Sequence, residues 1–263
     1  MSQILVITSG KGGVGKTTTT ANIGVGLAMR GNKVVLIDTD TGLRNLDLLL
    51  GLENRILYDL VDVTSGRVQY KKALVRHKKY ENLYLLPTSQ IKDKSAVNPE
   101  DLVKLCNEMN SEYDYIIIDC PAGIEQGFKT AIAAAECAIV VTTPEISAVR
   151  DADKIIGELA RADKNNIKLV VNRIRPQLVE KGDMLDMGDI DEILSINCIG
   201  QVPDDEAVVM ATNRGEPVIT MNGSPAGQAY KNIVGRICGE DIPFLKPPKE
   251  GFFAKLKKLF GLL

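Results

Sequence analysis

The sequence predicts an α/β fold: a doubly wound, mostly parallel sheet flanked by helices, with an amphipathic helix at the C-terminal end. Three observations carry this. Five short β-branched runs are apolar almost without interruption, as strands buried on both faces of a parallel sheet are. Stretches of helical period separate them, which calls for right-handed crossovers back into the same sheet. A glycine-rich loop joins the first run to the first helix.

The first run, "ILVIT" (4–8), leads straight into the glycines with no basic stretch before it, so it reads as a strand rather than a signal peptide. Residues 17 to about 30 read as a helix that stops at Arg30-Gly31-Asn32, where glycine supplies the left-handed conformation of a helix end. "KVVLID" (33–38), "YIIID" (115–119), "AIVVTT" (138–143) and "IKLVVN" (167–172) complete the buried strands. Weaker strands are expected at "NLYLLP" (82–87) and "CIGQVP" (198–203), with later helices near 204–213 and 225–238. Composition shifts at "DIPFLKPPKEG" (241–251), where three prolines and a glycine cannot continue a helix. The expected division is therefore a domain over 1–240, a linker over 241–251 and a separate helix over 252–263.

A chain of 263 residues suits one large core rather than two. Its 44 % apolar and 25 % charged shares are those of a folded globular protein, and a formal charge of −2 gives no overall electrostatic case for nucleic acid. Five widely spaced cysteines, with no C-x-x-C pair, read as reduced thiols. No window approaches the roughly 18 uninterrupted apolar residues of a spanning helix.

Gly10-Lys11-Gly12-Gly13-Val14-Gly15-Lys16-Thr17 fits G-x-x-x-x-G-K-[ST], placed between a strand and a helix as a phosphate-binding loop requires. Its glycines let successive N–H groups turn inward around a phosphate, Lys16 neutralises phosphate oxygens, and the Thr17 hydroxyl is placed to ligate magnesium. Asp119 ends a buried strand, where ligands of open α/β sheets collect, and is expected to hold the same metal. Asp38 and Asp40 end another. Helix capping or turn chemistry would explain either alone, but two acidic strand ends beside one loop favour magnesium and water activation. A loop that needs one lysine carries two. Lys11 is either a solvated charge or a group with a second purpose.

"SGKGGVGKTT", "IDTDTGLRNLDLLLGLENR" and "IIIDCPAGIE" together closely resemble the MinD family of cell-division ATPases, within the deviant-Walker-A group of P-loop proteins that also holds ParA and the nitrogenase iron protein. The resemblance runs from Ile4 to the last residues. It implies a magnesium-dependent ATPase whose nucleotide lies along Gly10 to Thr18, and in which Lys11 crosses an ATP-bound homodimer to touch the partner's phosphates. It further implies that Asp40 orients the attacking water, that Asp119 to Gly123 form a second switch, and that Asn172 and Arg173 read the base with Pro203 and Asp204 opposite. An asparagine amide suits adenine's edge, offering donor and acceptor together. Arg44, Asn45, Asp151 and Asp153 fall where the family meets regulators, and ordinary surface charge explains them equally well. The implied partners are inhibitor and activator proteins of the MinC and MinE kinds.

The end of the chain, "KEGFFAKLKKLFGLL", repays a helical count. Phe252, Phe253, Leu256, Leu259, Phe260 and Leu263 fall within an arc of about 120°, with Lys255, Lys257 and Lys258 outside it. From pattern alone this is either a helix docked on its own domain or one lying on an anionic membrane surface. The family resemblance favours the second, and with it a cytoplasmic protein reversibly peripheral to the membrane. Two other function classes compete. A ParA-like DNA-partition ATPase would bind phosphate backbones without needing the phenylalanines. A metal-cluster protein would want the absent C-x-x-C pair, although Cys120 beside Asp119 keeps that class open.

Overall fold

The computed structural model describes residues 1–40, 44–89 and 97–245. Eight strands form one sheet: β1 (Gln3–Thr8), β2 (Val34–Asp38), β3 (Val75–Arg76), β4 (Leu83–Leu86), β5 (Tyr115–Asp119), β6 (Cys137–Thr142), β7 (Ile167–Ile174) and β8 (Asn197–Pro203). They lie in the order β3-β4-β2-β5-β1-β6-β7-β8, every neighbouring pair parallel except β3 with β4. The seven expected strands are present within a residue or two of their sequence limits. The two-residue β3 was not expected, because a pairing this short has no apolar run to announce it.

Alternate residues of each strand enter opposite cores. Ile4 and Val6 face one side and Leu5 and Ile7 the other; Ile116 and Ile118 likewise oppose Ile117. With period-two side chains and both faces covered, every position must be apolar, which is why the runs do not alternate. The core that receives Leu5, Ile7 and Ile117 is closed by helices Lys16–Met29 and Pro225–Ile237, and the core that receives Ile4, Val6, Ile116 and Ile118 by Pro99–Met109, Gln126–Ala133 and Ile146–Arg161.

β1 sits where the strand order divides, with the chain winding outward to β2 on one side and to β6 through β8 on the other. Ligands of open α/β sheets lie beyond such a point, at the strands' C-terminal ends. The helix Lys16–Met29 leaves from there and is drawn close to the sheet. A Cβ on Gly24 would stand 2.6 Å from Leu36 Cδ2, so any side chain there would force Leu36 to move. The expected stop holds: Gly31 has φ +89°, its N–H donates to Ala28 O, and Asn32 N–H donates to Leu27 O.

At the far end, 241–245 run beside the helix Pro225–Ile237, where Arg236 Nε donates to Ile242 O and the guanidinium lies 4.2 Å from the Phe244 ring centroid. The expected amphipathic helix over 252–263, with Phe252, Phe253, Leu256, Leu259, Phe260 and Leu263, lies outside the described residues. Among the described residues no helix is long and apolar enough to cross a membrane.

Candidate nucleotide site

The loop Gly10–Gly15 turns between β1 and the helix that Lys16 opens. Gly15 has φ +103°, and any Cβ there would collide with the Asn172 amide. At Gly10 a Cβ would run into the main chain of Asp151, so the motif's outer glycines are required by close approach on both flanks. Gly12 and Gly13, by contrast, meet nothing within 4 Å and leave the loop's outer side open. Val14 is buried and offers the site only its backbone.

Beneath the loop the charged groups converge. Lys16 is 7 % exposed, and Asp38 and Asp119 are each 1 % exposed. The two acids are direct cross-strand partners at the ends of β2 and β5. Thr20 Oγ1 donates to Asp119 Oδ1 at 3.0 Å and to Lys16 O at 3.1 Å, tying the second turn of the helix to the carboxylate. Burial pushes the Asp119 carboxyl up to about 6, against the pull of hydrogen bonds from Thr17 and Thr20 and of the Lys16 charge. Asp38 is raised well above the carboxylate range, first by burial and then by Asp119. A cluster of oxygen donors with buried, mutually repelling acids beside a lysine fits a hard divalent cation that would complete its shell from phosphate and water.

At the end of β2, Asp40 N–H donates to Asp38 Oδ1 at 2.9 Å, placing the expected water-orienting residue next to the expected metal site. The strand end of β5 continues into the expected second switch, whose Gly123 N–H donates to Ser9 O in the phosphate loop. Burial pushes the Cys120 thiol up to about 12. Its Sγ donates to Pro121 O, and burial disfavours a free thiolate there.

Lys11 behaves unlike Lys16. Its side chain is 43 % exposed, and its Nζ lies 3.3 Å from Glu145 Oε2 and 3.2 Å from Ser147 Oγ at the start of the helix Ile146–Arg161. Ser9 Oγ donates to Lys11 O at 2.8 Å. Sequence reasoning passed over Ser9, Thr20, Glu145 and Ser147. Of these only Thr20 has a signal that could have found it, since it lies one turn beyond Lys16 on the same helix face.

The expected base-reading residues gather at the ends of β7 and β8. Asn172 is buried, and its Nδ2 donates to Val14 O at 2.8 Å. Arg173 holds φ +59°, a left-handed conformation uncommon for arginine, within an irregularity of the β7–β8 pairing. Asp204 receives a 2.6 Å bond from Arg175 Nε, and Pro203 ends β8 beside it. Of the four residues expected at a regulator surface, Asn45 and Asp153 are exposed, Asp151 pairs with Lys154, and Arg44 does not fit ordinary surface: it is 15 % exposed and bound to the buried Asp47.

A family model described as an AAA domain matches residues 2–171. The septum site-determining protein MinD of Bacillus subtilis (strain 168) is 53 % identical over 268 residues, covering 100 % of this chain and 99 % of that protein. The chain belongs to the MinD family. The fold agrees: the Aquifex aeolicus MinC:MinD cell division protein complex matches with a TM-score of 0.88 at 48 % identity, over 93 % of this chain and 99 % of that one. MinD of Pyrococcus horikoshii OT3, complexed with Mg-ADP, matches with a TM-score of 0.81 at 30 % identity, over 90 % of this chain and 96 % of its own. The buried cluster around Lys16 therefore stands on a MinD framework.

Proposed function

We propose that the protein is a magnesium-dependent ATPase switch of division-site selection, which dimerises on ATP, attaches to the inner face of the membrane through 252–263, and there recruits a MinC-like inhibitor and answers to a MinE-like activator. One observation carries the reading: the buried Lys16 and Asp119 and the half-buried Thr17 interact beneath a glycine loop of phosphate-binding pattern, in a chain with full-length likeness to septum site-determining proteins. In this reading Gly10 to Thr18 cradle the phosphates of ATP, and Thr17, Asp40 and Asp119 would hold a magnesium that would neutralise phosphate charge. Asp40 orients the attacking water. Asn172, Arg173, Pro203 and Asp204 enclose the base.

Lys11 supplies the link to assembly. A cation near a partner's phosphate gains most in a dry interface and loses its contact when that phosphate leaves. In the single chain it rests on Glu145 and Ser147 instead. An ATP dimer presents two weak membrane helices from one particle, and linked anchors gain roughly 10² to 10⁴ in avidity. Co-sedimentation with anionic liposomes tests this: wild type is expected to pellet with ATP and stay soluble with ADP, and deletion of 252–263 to abolish pelleting while ATP binding persists. Equal pelleting in both nucleotides refutes the avidity mechanism. ATP-dependent pelleting with DNA but not liposomes selects the ParA-like alternative.

A further inference from the structure

Between the two acidic strand ends lies a residue that the functional reading leaves without a task. Thr39 follows Asp38 and precedes Asp40, and it is 8 % exposed. Both of its donors go to one acceptor: Thr39 Oγ1 donates to Asp119 O at 2.6 Å, and Thr39 N–H donates to the same oxygen at 3.0 Å. Regular parallel pairing requires only the second. The hydroxyl bond is therefore additional, short, and aimed at the residue whose carboxylate is already fixed by Thr20.

We propose that Thr39 is a positioning residue for ATP hydrolysis: its hydroxyl clamps the end of β2 onto the end of β5 and so sets where Asp40 stands relative to Asp119. The chain of contacts is continuous. Thr20 holds the Asp119 side chain, Asp119 O receives Thr39, and the following residue, Asp40, is held by its own N–H on Asp38 Oδ1. Asp40 is thus pinned by its backbone at the point where β2 ends. A single peptide bond of slack is enough to move a carboxylate by the ångström that matters to a water held for in-line attack. Asp119 is a proposed metal ligand, and outer-shell partners that hold metal ligands in place typically contribute 10- to 100-fold.

Removing the hydroxyl separates two outcomes that a general loss of structure would move together. Thr39→Val keeps the shape and the backbone N–H bond, and it leaves Thr17, Thr20 and Lys16 untouched, so nucleotide affinity is expected to hold while hydrolysis slows. Thr39→Ser restores the donor.

This inference rests on the assignment of Asp40 to water, so the experiment includes Asp40→Ala. The expected result is that Thr39→Val lowers kcat about 10-fold with KM for ATP and affinity for ADP unchanged, that Thr39→Ser recovers most of the loss, and that Thr39→Val adds nothing in the Asp40→Ala background. A second measurement avoids turnover altogether. In the nucleotide-free protein, amide hydrogen exchange of Thr39 and Asp40 should quicken in Thr39→Val and return in Thr39→Ser, with exchange in β1 and β6 unaltered. If Asp40→Ala slows hydrolysis but Thr39→Val does not, or if the two losses multiply, the clamp is wrong and the assignment of Asp40 stands. Wild-type turnover in Asp40→Ala overturns both. Unchanged exchange at Thr39 and Asp40 overturns the clamp by itself.

Discussion

The two ends of the site are built on different terms. At the phosphate end Lys16, Asp38 and Asp119 are almost wholly buried, the lysine opening a helix and the two acids ending strands in unbroken register. At the base end Asn172 is buried, but Arg173 and Asp204 are exposed, the β7–β8 pairing is interrupted, and Arg173 sits in a strained conformation. In the proposed reading, recognition of phosphate falls to a part of the sheet in regular register, and recognition of the base to a part whose pairing is interrupted. Asn172 joins them, since its amide reaches the Val14 carbonyl inside the phosphate loop.

If that contrast is right, damage at the phosphate end should be the more severe. Lys16→Ala removes a buried cation whose hydrogen bonds to a charged ligand are worth about 1.5–3 kcal/mol each, so MgATP affinity should fall by at least about 100-fold. Fluorescent-nucleotide titration measures it. Near-normal binding would show that the loop backbone alone carries the site. Asp40→Ala should come next, slowing turnover about 100-fold with binding retained, because its assigned work is on water and not on phosphate.

Asn172→Ala should fall between the two ends in character as well as in size. It removes one buried donor and leaves the Val14 carbonyl without it, at a cost of about 1–2 kcal/mol, or about ten-fold in nucleotide affinity. Because the same amide touches the phosphate loop, inorganic phosphate analogues that lack a base should also bind more weakly. If only base-containing ligands are affected, Asn172 belongs to the base end alone.

The contrast also explains what could be read from the sequence. Glycines at 10 and 15 are forced by a close approach and a positive φ, and an eight-residue motif records that constraint directly. Buried strands announce themselves because both faces need apolar residues. Nothing comparable marks the base end: Asn172, Pro203 and Asp204 are common residue types at unremarkable spacing, and only family likeness singled them out. Thr39 was invisible for another reason. A threonine at a strand end reads as β propensity, and its second bond depends on a strand about 80 positions further along the chain. Lys11 could be counted but not placed, since Glu145 and Ser147 are remote in sequence.

Smaller effects test what holds the base end in place. Asp205 accepts from Ala207 N–H at 2.9 Å and Ala226 N–H at 3.1 Å, and from Ser224 Oγ at 2.6 Å, so one carboxylate caps two helices. Partial burial works against its charge, but these donors prevail and hold its carboxyl below the usual range. A depressed folded value means that its stabilisation is fully present above the unfolded-state range and is lost as pH falls through the folded value. Asp205→Ala should cost about 2 kcal/mol and lower Tm by about 5 °C at neutral pH, with the difference from wild type shrinking in acid. A loss of stability independent of pH would assign the effect to packing instead.

The smallest change is expected at Arg175. Its bond to Asp204 is short, yet the two side chains are 57 % and 37 % exposed, and solvent-screened pairs of this kind are worth about 0–1 kcal/mol. Arg175→Ala should therefore shift neither Tm nor ADP affinity measurably at physiological salt. That outcome would leave the strained Arg173 backbone and the Asp205 caps as the elements that shape the base end. A clear loss of ADP affinity in Arg175→Ala, diminishing as salt is added, would instead make Asp204 a residue that must be aimed by its ion pair. The base end would then depend on a surface contact in a way the phosphate end does not.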